Sequence, residues 1–396
     1  MQTRPGRSRY DCRTMKIKRI TVHPLASPLA EPFAFSQGWV RRRCATIVEI
    51  ETADGVVGWG EAFPQGLEPP QIAAAVVEHA LAPLLLGEDA LATEVLWHRM
   101  YHATRDYGRK GSVIAGISAV DMALWDLAGK FYGQPVHRLL GGAFRHEMRA
   151  YATGFYRKSG RGETARLVQE AKDRAAAGFS AVKVKIGFGV ADDIAVLRAI
   201  ASALEGSGVA MMIDANHAYG VAEAISLGRA VADLDLLWFE EPVAPEDRDG
   251  YAEVRRALTM PIAGGENEHT LYGFRDFIAG GGVDIVQPDL GSCGGFTAAK
   301  HIVALAQAHG LRVNPHVWGT GVAQAASVQL IAALPVPHHS LYPVEPMLEY
   351  DCSDHPFRMA LVSEPVLCER GVVRVPSRPG LGIEVDREVL RRSRVA

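Results

Sequence analysis

The sequence has few cysteines, no long basic run and no uninterrupted apolar segment of membrane-spanning length. Its five cysteines are scattered over 396 residues and never form a CxxC pair, which argues against a disulfide framework and a structural zinc site. The most apolar stretches, such as residues 73–86, are shorter than the roughly 18 residues of a transmembrane helix. We therefore expect a protein of the reducing cytoplasm without a membrane span.

The charges are nearly balanced, with 42 basic and 45 acidic side chains and a formal net charge of −3. This balance gives no electrostatic footprint for a nucleic acid or an anionic membrane, so the expected partner is a small molecule. Residues 1–14 are rich in arginine but lack the apolar segment of a secretory signal. We expect them to form a disordered tail, with Met15 as an alternative start of the protein.

Residues 15–145 have the pattern of a small α+β domain. Within it, residues 45–61 alternate polar and apolar side chains around an Asp-Gly turn, which predicts a β-hairpin. Residues 71–86 and 113–131 carry apolar side chains at three- and four-residue spacing, which predicts two helices.

Residues 146–355 alternate amphipathic helices with short apolar strands. The strands are predicted at residues 181–186, 209–214, 236–241, 261–266, 283–289 and 311–316. This alternation predicts an α/β fold with a parallel sheet and right-handed crossovers, closed into a (β/α)8-type barrel. Residues 356–396 return to short strands and turns, and we expect them to pack back onto the first domain.

Polar side chains follow the predicted barrel strands at the spacing of one βα unit. They are Lys185, Asp214, Glu240, Glu266, Asp289, His316 and Glu345, separated by 29, 26, 26, 23, 27 and 29 residues. Because catalytic groups of such barrels lie at the carboxyl ends of the strands, the spacing predicts that these side chains share one barrel mouth.

Asp214, Glu240 and Glu266 end three successive predicted strands and would repel one another if left uncompensated. A divalent cation removes the repulsion, and ligation by oxygen alone favours Mg²⁺ or Mn²⁺ over zinc. A single strand-end acid could equally cap a helix or pair with arginine, but three at near-equal spacing predict a metal site.

Lys183 and Lys185 are two residues apart on one strand, so both project to the same face. Mutual repulsion, the nearby metal and partial desolvation are expected to lower the pKa of at least one of them, as a general base requires.

His316 follows the strand after the one that ends in Asp289. A carboxylate on the neighbouring strand fixes the imidazole tautomer and raises its basicity, so the pair is predicted to act as a directed base or acid. Glu345 is predicted either to donate a hydrogen bond to a developing oxyanion or to form a salt bridge.

A metal site with a lysine on one side and a His/Asp pair on the other suits removal of a proton α to a carboxylate. In that reaction the metal stabilises the enediolate that forms.

The motifs around these residues resemble those of the enolase superfamily, mandelate racemase subgroup, from Met15 onward. They are KVK at 183–185, MIDANHAY from Met212, WFEEP with Glu240, GGEN with Glu266, QPD with Asp289 and NPH with His316. The resemblance implies a (β/α)7β modified TIM barrel (146–355) and a capping domain built from residues 15–145 and 356–396. Loops around residues 33–41 and 63–69 would then cover the barrel mouth.

The same resemblance implies a role for each matching residue. Asp214, Glu240 and Glu266 would bind Mg²⁺, with Mn²⁺ as a substitute, and Lys185 would be the base on one face of the substrate. The His316/Asp289 pair would serve the other face as base or acid. Lys183 would lie near the substrate carboxylate, Asn216 close to the substrate, and Glu345 on the enediolate oxygen. The resemblance also implies a homo-oligomer.

Further motifs are similar to the branch of the family that contains galactarolactone cycloisomerase and 3,6-anhydro-L-galactonate cycloisomerase. They are YATGFYR, KIGFGV, CGGF, HVWGTG, EPMLEYD, HPFR and PGLGIEVD. This similarity implies a sugar acid or sugar-acid lactone as substrate, and β-elimination or cycloisomerisation as the reaction.

Other functions stay open at this point. An acid-sugar dehydratase, or a racemase or epimerase of a hydroxy acid, would need the same two bases, so the sequence does not separate them from a cycloisomerase. A Schiff-base aldolase would use Lys185 but needs no three-carboxylate metal site. A non-catalytic barrel would have no need of this ring of polar side chains.

Overall fold

The structure, a computed structural model, describes residues 14–64, 67–160 and 162–395. The predicted disordered tail therefore lies, except for Thr14, outside the described residues. The strands are β1 (Ile17–Phe35), β2 (Gly38–Thr52), β3 (Val57–Ala62), β4 (Glu147–Gly154), β5 (Ala181–Lys185), β6 (Ala210–Asp214), β7 (Phe239–Glu240), β8 (Ile262–Gly264), β9 (Ile285–Val286), β10 (Arg312–Val313), β11 (Leu348–Asp351), β12 (Cys368–Glu369) and β13 (Val372–Arg374).

Thirteen α-helices connect or cover these strands in the described residues. They are α1 (Pro70–Ala75), α2 (Thr93–Thr104), α3 (Ser112–Tyr132), α4 (Val136–Leu139), α5 (Thr164–Ala176), α6 (Val190–Leu204), α7 (Val221–Ala230), α8 (Arg248–Ala257), α9 (Thr270–Ala279), α10 (Gly295–Ala308), α11 (Gly321–Ala332), α12 (Pro356–Ala360) and α13 (Arg387–Ser393). A π-helical turn (Val76–Leu81) and a 3-10 turn (Ala82–Leu84) continue α1.

The capping domain is a three-stranded antiparallel sheet covered by α3. The predicted hairpin is present as β2 and β3, with Gly55 at φ 82° in the turn. A Cβ on Gly60 of β3 would lie 1.9 Å from the carbonyl oxygen of Ala119, so only glycine lets α3 approach the sheet this closely. Helix α3 ends at Gly133, which adopts the left-handed conformation at φ 65°.

Helix α3 is also the one described helix that is long and apolar enough to span a membrane by length and composition. However, 89% of its most apolar window is buried inside the protein. This burial is typical of a core helix in a folded domain.

The second domain is the predicted (β/α)7β barrel. Strands β4 to β10 pair in chain order, and β11 pairs with β4 in parallel. Helices α5 to α11 provide the seven crossovers between these eight strands. Strands β5, β7, β8 and β9 are buried at every position, as a parallel sheet inside a ring of helices requires.

The C-terminal segment contacts both domains. Strands β12 and β13 form a hairpin, and β13 pairs antiparallel with the first barrel strand. Helix α13 returns to the capping sheet, where the Arg387 guanidinium lies 2.7 Å from the Glu49 carboxylate and over the ring of Trp59. The segment thereby ties the capping sheet to the barrel.

Candidate active site

The barrel register brings the predicted site residues of β5, β6 and β7 side by side. Lys185 is the ladder partner of Asp214, and Asp214 is the partner of Glu240. Parallel strands in register place their carboxyl ends at one edge of the sheet, so these side chains meet at one barrel mouth.

Asp214, Glu240 and Glu266 form a compact carboxylate triad. Each offers a ligand oxygen, and these oxygens lie within 4.8 Å of one another at buried positions. Within the described residues, Oε2 of Glu266 is buried and makes no hydrogen bond. Three converging carboxylates, one of them with an oxygen that makes no hydrogen bond, suit a hard divalent cation, and the residues present therefore fit the predicted metal site.

The electrostatics of the triad point the same way. Burial raises the pKa of Glu240 to about 7; Lys183 opposes this rise, whereas Asp214 adds to it by repulsion. A buried carboxylate held near other carboxylates takes up positive charge readily, either as a proton or as a cation.

Lys185 lies between the triad and the pocket. Its Nζ donates to Oδ2 of Asp214 at 2.5 Å and to Oδ1 of Asn216 at 3.0 Å. Burial disfavours its charge, but Asp214, together with Glu266 and Glu240, outweighs this effect, so the pKa of Lys185 is raised. The expected lowering of a lysine pKa, which included the effect of a nearby metal, is not produced by these contacts alone, because each lysine pairs closely with an acid.

Lys183 is completely buried beneath the triad. Its Nζ lies 2.5 Å from Oε1 of Glu240, 2.8 Å from Oε1 of Glu349 and 3.6 Å from Oδ2 of Asp214. Burial disfavours the charge, yet Glu240 and Glu349 raise the pKa of Lys183 well above its usual range. These contacts make Lys183 a fixed positive charge that holds two carboxylates in place.

Asn216 adopts a left-handed backbone conformation at φ 43° directly after β6. Its side-chain Nδ2 donates to Oε1 of Glu266 at 3.3 Å, while its side-chain Oδ1 accepts from Lys185. From the capping domain, Ser36 donates to the carbonyl of Ala215 at 2.8 Å, and Gln37 donates to the carbonyl of Asn216 at the same distance. The capping loop is thus attached to the barrel beside the triad.

His316 and Asp289 form the predicted pair. Nδ1 of His316 lies 2.7 Å from Oδ2 of Asp289, and its Nε2 lies 3.4 Å from Oε2 of Glu266. Burial disfavours the imidazolium, but the charges of Glu266, Glu349 and Asp289 outweigh it and raise the pKa of His316 to about 10. With Nδ1 held by Asp289, Nε2 is the nitrogen left to exchange a proton across the pocket.

The predicted position of Glu345 at the barrel mouth is wrong. This side chain precedes β11, is half exposed, and forms an ion pair of 2.6 Å with Arg145, which precedes β4. Both residues therefore lie at the opposite, amino-terminal end of the barrel. A proline-rich segment precedes β11, so this strand begins only at Leu348. The spacing of one βα unit therefore selects Glu345, which lies before the strand.

Glu349 occupies the place expected for Glu345, and the sequence analysis missed it. It is buried in β11, accepts from the Thr153 hydroxyl at 2.6 Å and from the Val317 backbone at 3.0 Å, and pairs with Lys183. Burial opposes its charge, but Lys183, His316 and Lys185 together outweigh burial, so the pKa of Glu349 is lowered. The signal that could have found it is the acid inside the apolar run after Pro346.

A narrow cavity opens above these groups and combines polar and aromatic walls. Its lining residues are Phe35, Phe63, Tyr156, Lys185, Asn216, Glu266, His316 and Trp318. Phe35 and Phe63 come from the two capping loops predicted to cover the mouth, of which residues 65 and 66 lie outside the described residues. Both candidate bases therefore reach the same cavity.

Comparison with known proteins agrees with this geometry. Residues 16–141 match the mandelate racemase / muconate lactonizing enzyme N-terminal domain, and residues 166–389 match the enolase C-terminal domain-like family. The chain is 44% identical to the D-galactarolactone cycloisomerase of Agrobacterium fabrum over 381 residues, which cover 96% of this chain and 99% of the relative.

Solved structures show the same relationship. The 3,6-anhydro-D-galactonate cycloisomerase from Zobellia galactanivorans is 38% identical, with a TM-score of 0.86 over 96% of this chain and 100% of that chain. A variant of L-talarate/galactarate dehydratase with Mg and L-glucarate bound is 28% identical, with a TM-score of 0.86 over 100% of this chain and 96% of that chain. The triad, the two candidate bases and these similarities lead to one assignment: the chain is an enzyme of the mandelate racemase / muconate lactonizing enzyme family, within the enolase superfamily.

Proposed function

We propose that this enzyme removes the proton α to the carboxylate of a sugar acid or sugar-acid lactone, and that β-elimination or cycloisomerisation follows through an enediolate. The observation that carries the proposal is that Lys185 and His316 line one cavity together with Glu266 of the triad. Their strands, β5 and β10, are separated by four barrel strands on one side and two on the other. The two bases therefore approach a bound carbon from different sides.

Asp214, Glu240 and Glu266 would hold Mg²⁺, and Mn²⁺ is expected to substitute for it. When bound there, the cation stabilises the negative charge that develops on the substrate carboxylate. The all-oxygen donor set supports this choice, and so does the magnesium in the structure of the related dehydratase.

The chain's own residues would divide the proton transfers between them. Either Lys185 or His316 takes the α-proton, and the other acts as the acid that assists loss of the β-oxygen substituent. Asp289 keeps Nδ1 of His316 protonated, so that Nε2 faces the substrate. Which of the two takes the proton depends on the configuration of the substrate carbon.

A galactarolactone cycloisomerase-like activity is the specific form we propose, because the 44% identity covers nearly both chains. An acid-sugar dehydratase is the alternative, supported by the similarity to L-talarate/galactarate dehydratase. A racemase or epimerase would use the same two bases without a leaving group.

A substrate panel with Mg²⁺ separates these activities. Proton NMR would follow D-galactarolactone, 3,6-anhydro-galactonate, galactarate, arabinonate and mandelate in deuterated buffer. We expect ring opening of a lactone or anhydro sugar acid with one deuteron incorporated. A keto-deoxy acid from an open-chain sugar acid would assign the dehydratase instead, and inversion without elimination would assign the epimerase. Turnover that persists in Asp214→Asn would contradict all three.

We also propose that the enzyme is a cytoplasmic homo-oligomer. The four cysteines of the described residues are all free thiols, which supports a reducing compartment. Leu341, Tyr342 and Val344, on the segment before β11, are 86%, 87% and 64% exposed, an unusually apolar projection for a monomer. Light scattering after gel filtration tests the assembly: a mass of one chain would contradict it, and Leu341→Ser/Tyr342→Ser would test whether this projection takes part.

A further inference from the structure

The last residues of β3 reach from the capping domain into the barrel and end at the loop that carries His316. Glu61 is completely buried there. Its Oε1 accepts from the Thr320 backbone at 2.9 Å, while its Oε2 accepts from the Thr320 hydroxyl at 2.6 Å and from the Ala323 backbone at 2.9 Å. A carboxylate of one domain thus caps helix α11 of the other.

This cap sets where the His316 loop ends. Thr320 is the N-cap of α11, and its hydroxyl accepts from the Val322 backbone at 3.1 Å while it donates to Glu61. Between His316 and Thr320, a Cβ on Gly319 would lie 2.7 Å from Oε1 of Glu61. The loop is therefore pressed against the carboxylate, and only glycine allows that approach.

Phe63, two residues after Glu61, contacts His316 directly and is connected to Asp289 through Gly291. Its ring centroid lies 5.4 Å from that of His316. Its backbone N–H donates to the carbonyl of Gly291 at 3.0 Å, and the N–H of Gly291 donates to Oδ1 of Asp289 at 2.6 Å. The capping strand therefore fixes the imidazole from one side and the Asp289 carboxylate from the other.

We propose that Glu61 and Phe63 are positioning residues for the His316/Asp289 pair, so that the acid/base machinery is complete only when the capping strand is seated in the barrel. The inference rests on the proposed role of His316. It goes beyond that role because it assigns a task to residues that neither line the metal site nor exchange a proton.

Glutamine cannot replace Glu61 in this role. Each carboxylate oxygen of Glu61 accepts a hydrogen bond from a backbone N–H. A glutamine at this position would turn its own amide N–H donors toward one of those two backbone N–H groups. Burial raises the pKa of Glu61 to about 7, against the opposing effect of Thr320, so the fold retains this acid at an energetic cost. A costly buried acid that accepts three hydrogen bonds from the end of the His316 loop and the first turn of the helix after it is typical of a positioning role.

The first test compares matched variants by kinetics. Thr320→Val deletes the hydroxyl that donates to Glu61, and Thr320→Ser keeps it. We expect Glu61→Gln and Thr320→Val to lower kcat at least about tenfold with KM and Mg²⁺ affinity within about twofold, because a shift of the base mainly affects the transition state. Thr320→Ser should stay near the wild type.

Asp126→Asn is the control for general loss of stability. Asp126 is also buried and accepts from the backbones of Trp59 and Leu381 and from the Lys130 ammonium group, and these partners lie outside the segment from His316 to Ala323 that Glu61 contacts. We expect this variant to lower the melting temperature without changing kcat at a temperature where it is folded. Equal losses of kcat in Glu61→Gln and Asp126→Asn would overturn the proposal.

A second test does not depend on turnover. The proton that His316 shares with Asp289 should give a downfield imidazole resonance, identified by its loss in His316→Asn. We expect this signal in the wild type, Asp126→Asn and Thr320→Ser, and its shift or broadening in Glu61→Gln and Phe63→Leu. An unchanged signal in both of the latter would overturn the proposal. If the wild type turns over no sugar acid, the proposed function fails while this measurement still decides the inference.

Discussion

Nζ of Lys185 lies 2.5 Å from Oδ2 of Asp214, so a candidate base and a candidate metal ligand are hydrogen-bonded to each other. They meet because β5 and β6 are adjacent and these two residues are ladder partners. A cation bound by Asp214 would share that carboxylate with the ammonium group. Metal binding and the readiness of Lys185 to move a proton are therefore linked through one side chain.

The triad makes a direct prediction about metal affinity. Asp214→Asn removes one anionic ligand, and we expect Mg²⁺ binding measured by calorimetry to weaken at least about 100-fold. Asp289→Asn is the matched control, since it removes another buried acid of the same barrel mouth that lies outside the triad. It should bind Mg²⁺ nearly as well as the wild type while losing turnover. Equal loss of binding in both variants would contradict this assignment of ligands.

The two candidate bases predict separable defects. Lys185→Ala and His316→Asn should each lower kcat by about 1000-fold with the fold intact, since each removes a general acid or base. Deuterium exchange at the α-carbon of the substrate, followed by NMR, then shows which residue takes the proton. Only the variant that keeps the abstracting base should still exchange. Exchange that is retained in both would mean that neither residue is the base.

The assignment of Glu349, and not Glu345, as the acid of the barrel mouth is tested by two conservative variants. Glu349→Gln weakens the fixation of Lys183 and of the Val317 backbone, so we expect kcat to fall about tenfold to 100-fold. The free energy of unfolding should fall by up to about 3 kcal/mol, because a buried ammonium group loses one partner. Glu345→Gln, which affects only a half-exposed ion pair with Arg145, should leave turnover unchanged.

A pH-dependent stability is predicted for Asp121 on helix α3. Burial raises the pKa of Asp121 to about 7, a rise that its hydrogen bond from Thr297 opposes. Because the folded pKa is raised, this group stabilises the fold below its unfolded pKa, and the contribution is lost as the pH rises through about 7.

The measurement compares urea unfolding of the wild type and Asp121→Asn at about pH 5 and about pH 8. Relative to the wild type, the free energy of unfolding of the variant should increase as the pH rises. The slope of this increase should not exceed the slope that a difference of one bound proton causes. Asp54→Asn, at an exposed turn, should show no such gain. A stability difference between Asp121→Asn and the wild type that does not change with pH would refute the prediction.

Much of the fold could be predicted from local pattern. The hairpin turn at Gly55, the end of α3 at Gly133 and the barrel strands β5 to β10 agree with the sequence analysis to within a few residues. These features depend on short-range chemistry, namely a glycine with positive φ or a short apolar run before a polar residue. The position of the last barrel strand, β11, was not predicted correctly, because its start is set by pairing with β4, about 200 residues away in sequence.

The sequence by itself determined the chemistry that is available: three acids, two lysines and a His/Asp pair at the period of a βα unit, which is enough for a barrel, a metal site and a family. Only the tertiary structure decided which acid stands at the mouth, how each lysine is paired, and that Glu61 and Phe63 of the capping domain hold the loop of His316. The reason is physical, since side-chain identity is local whereas register, ion pairing and domain contact depend on which distant segments pack together.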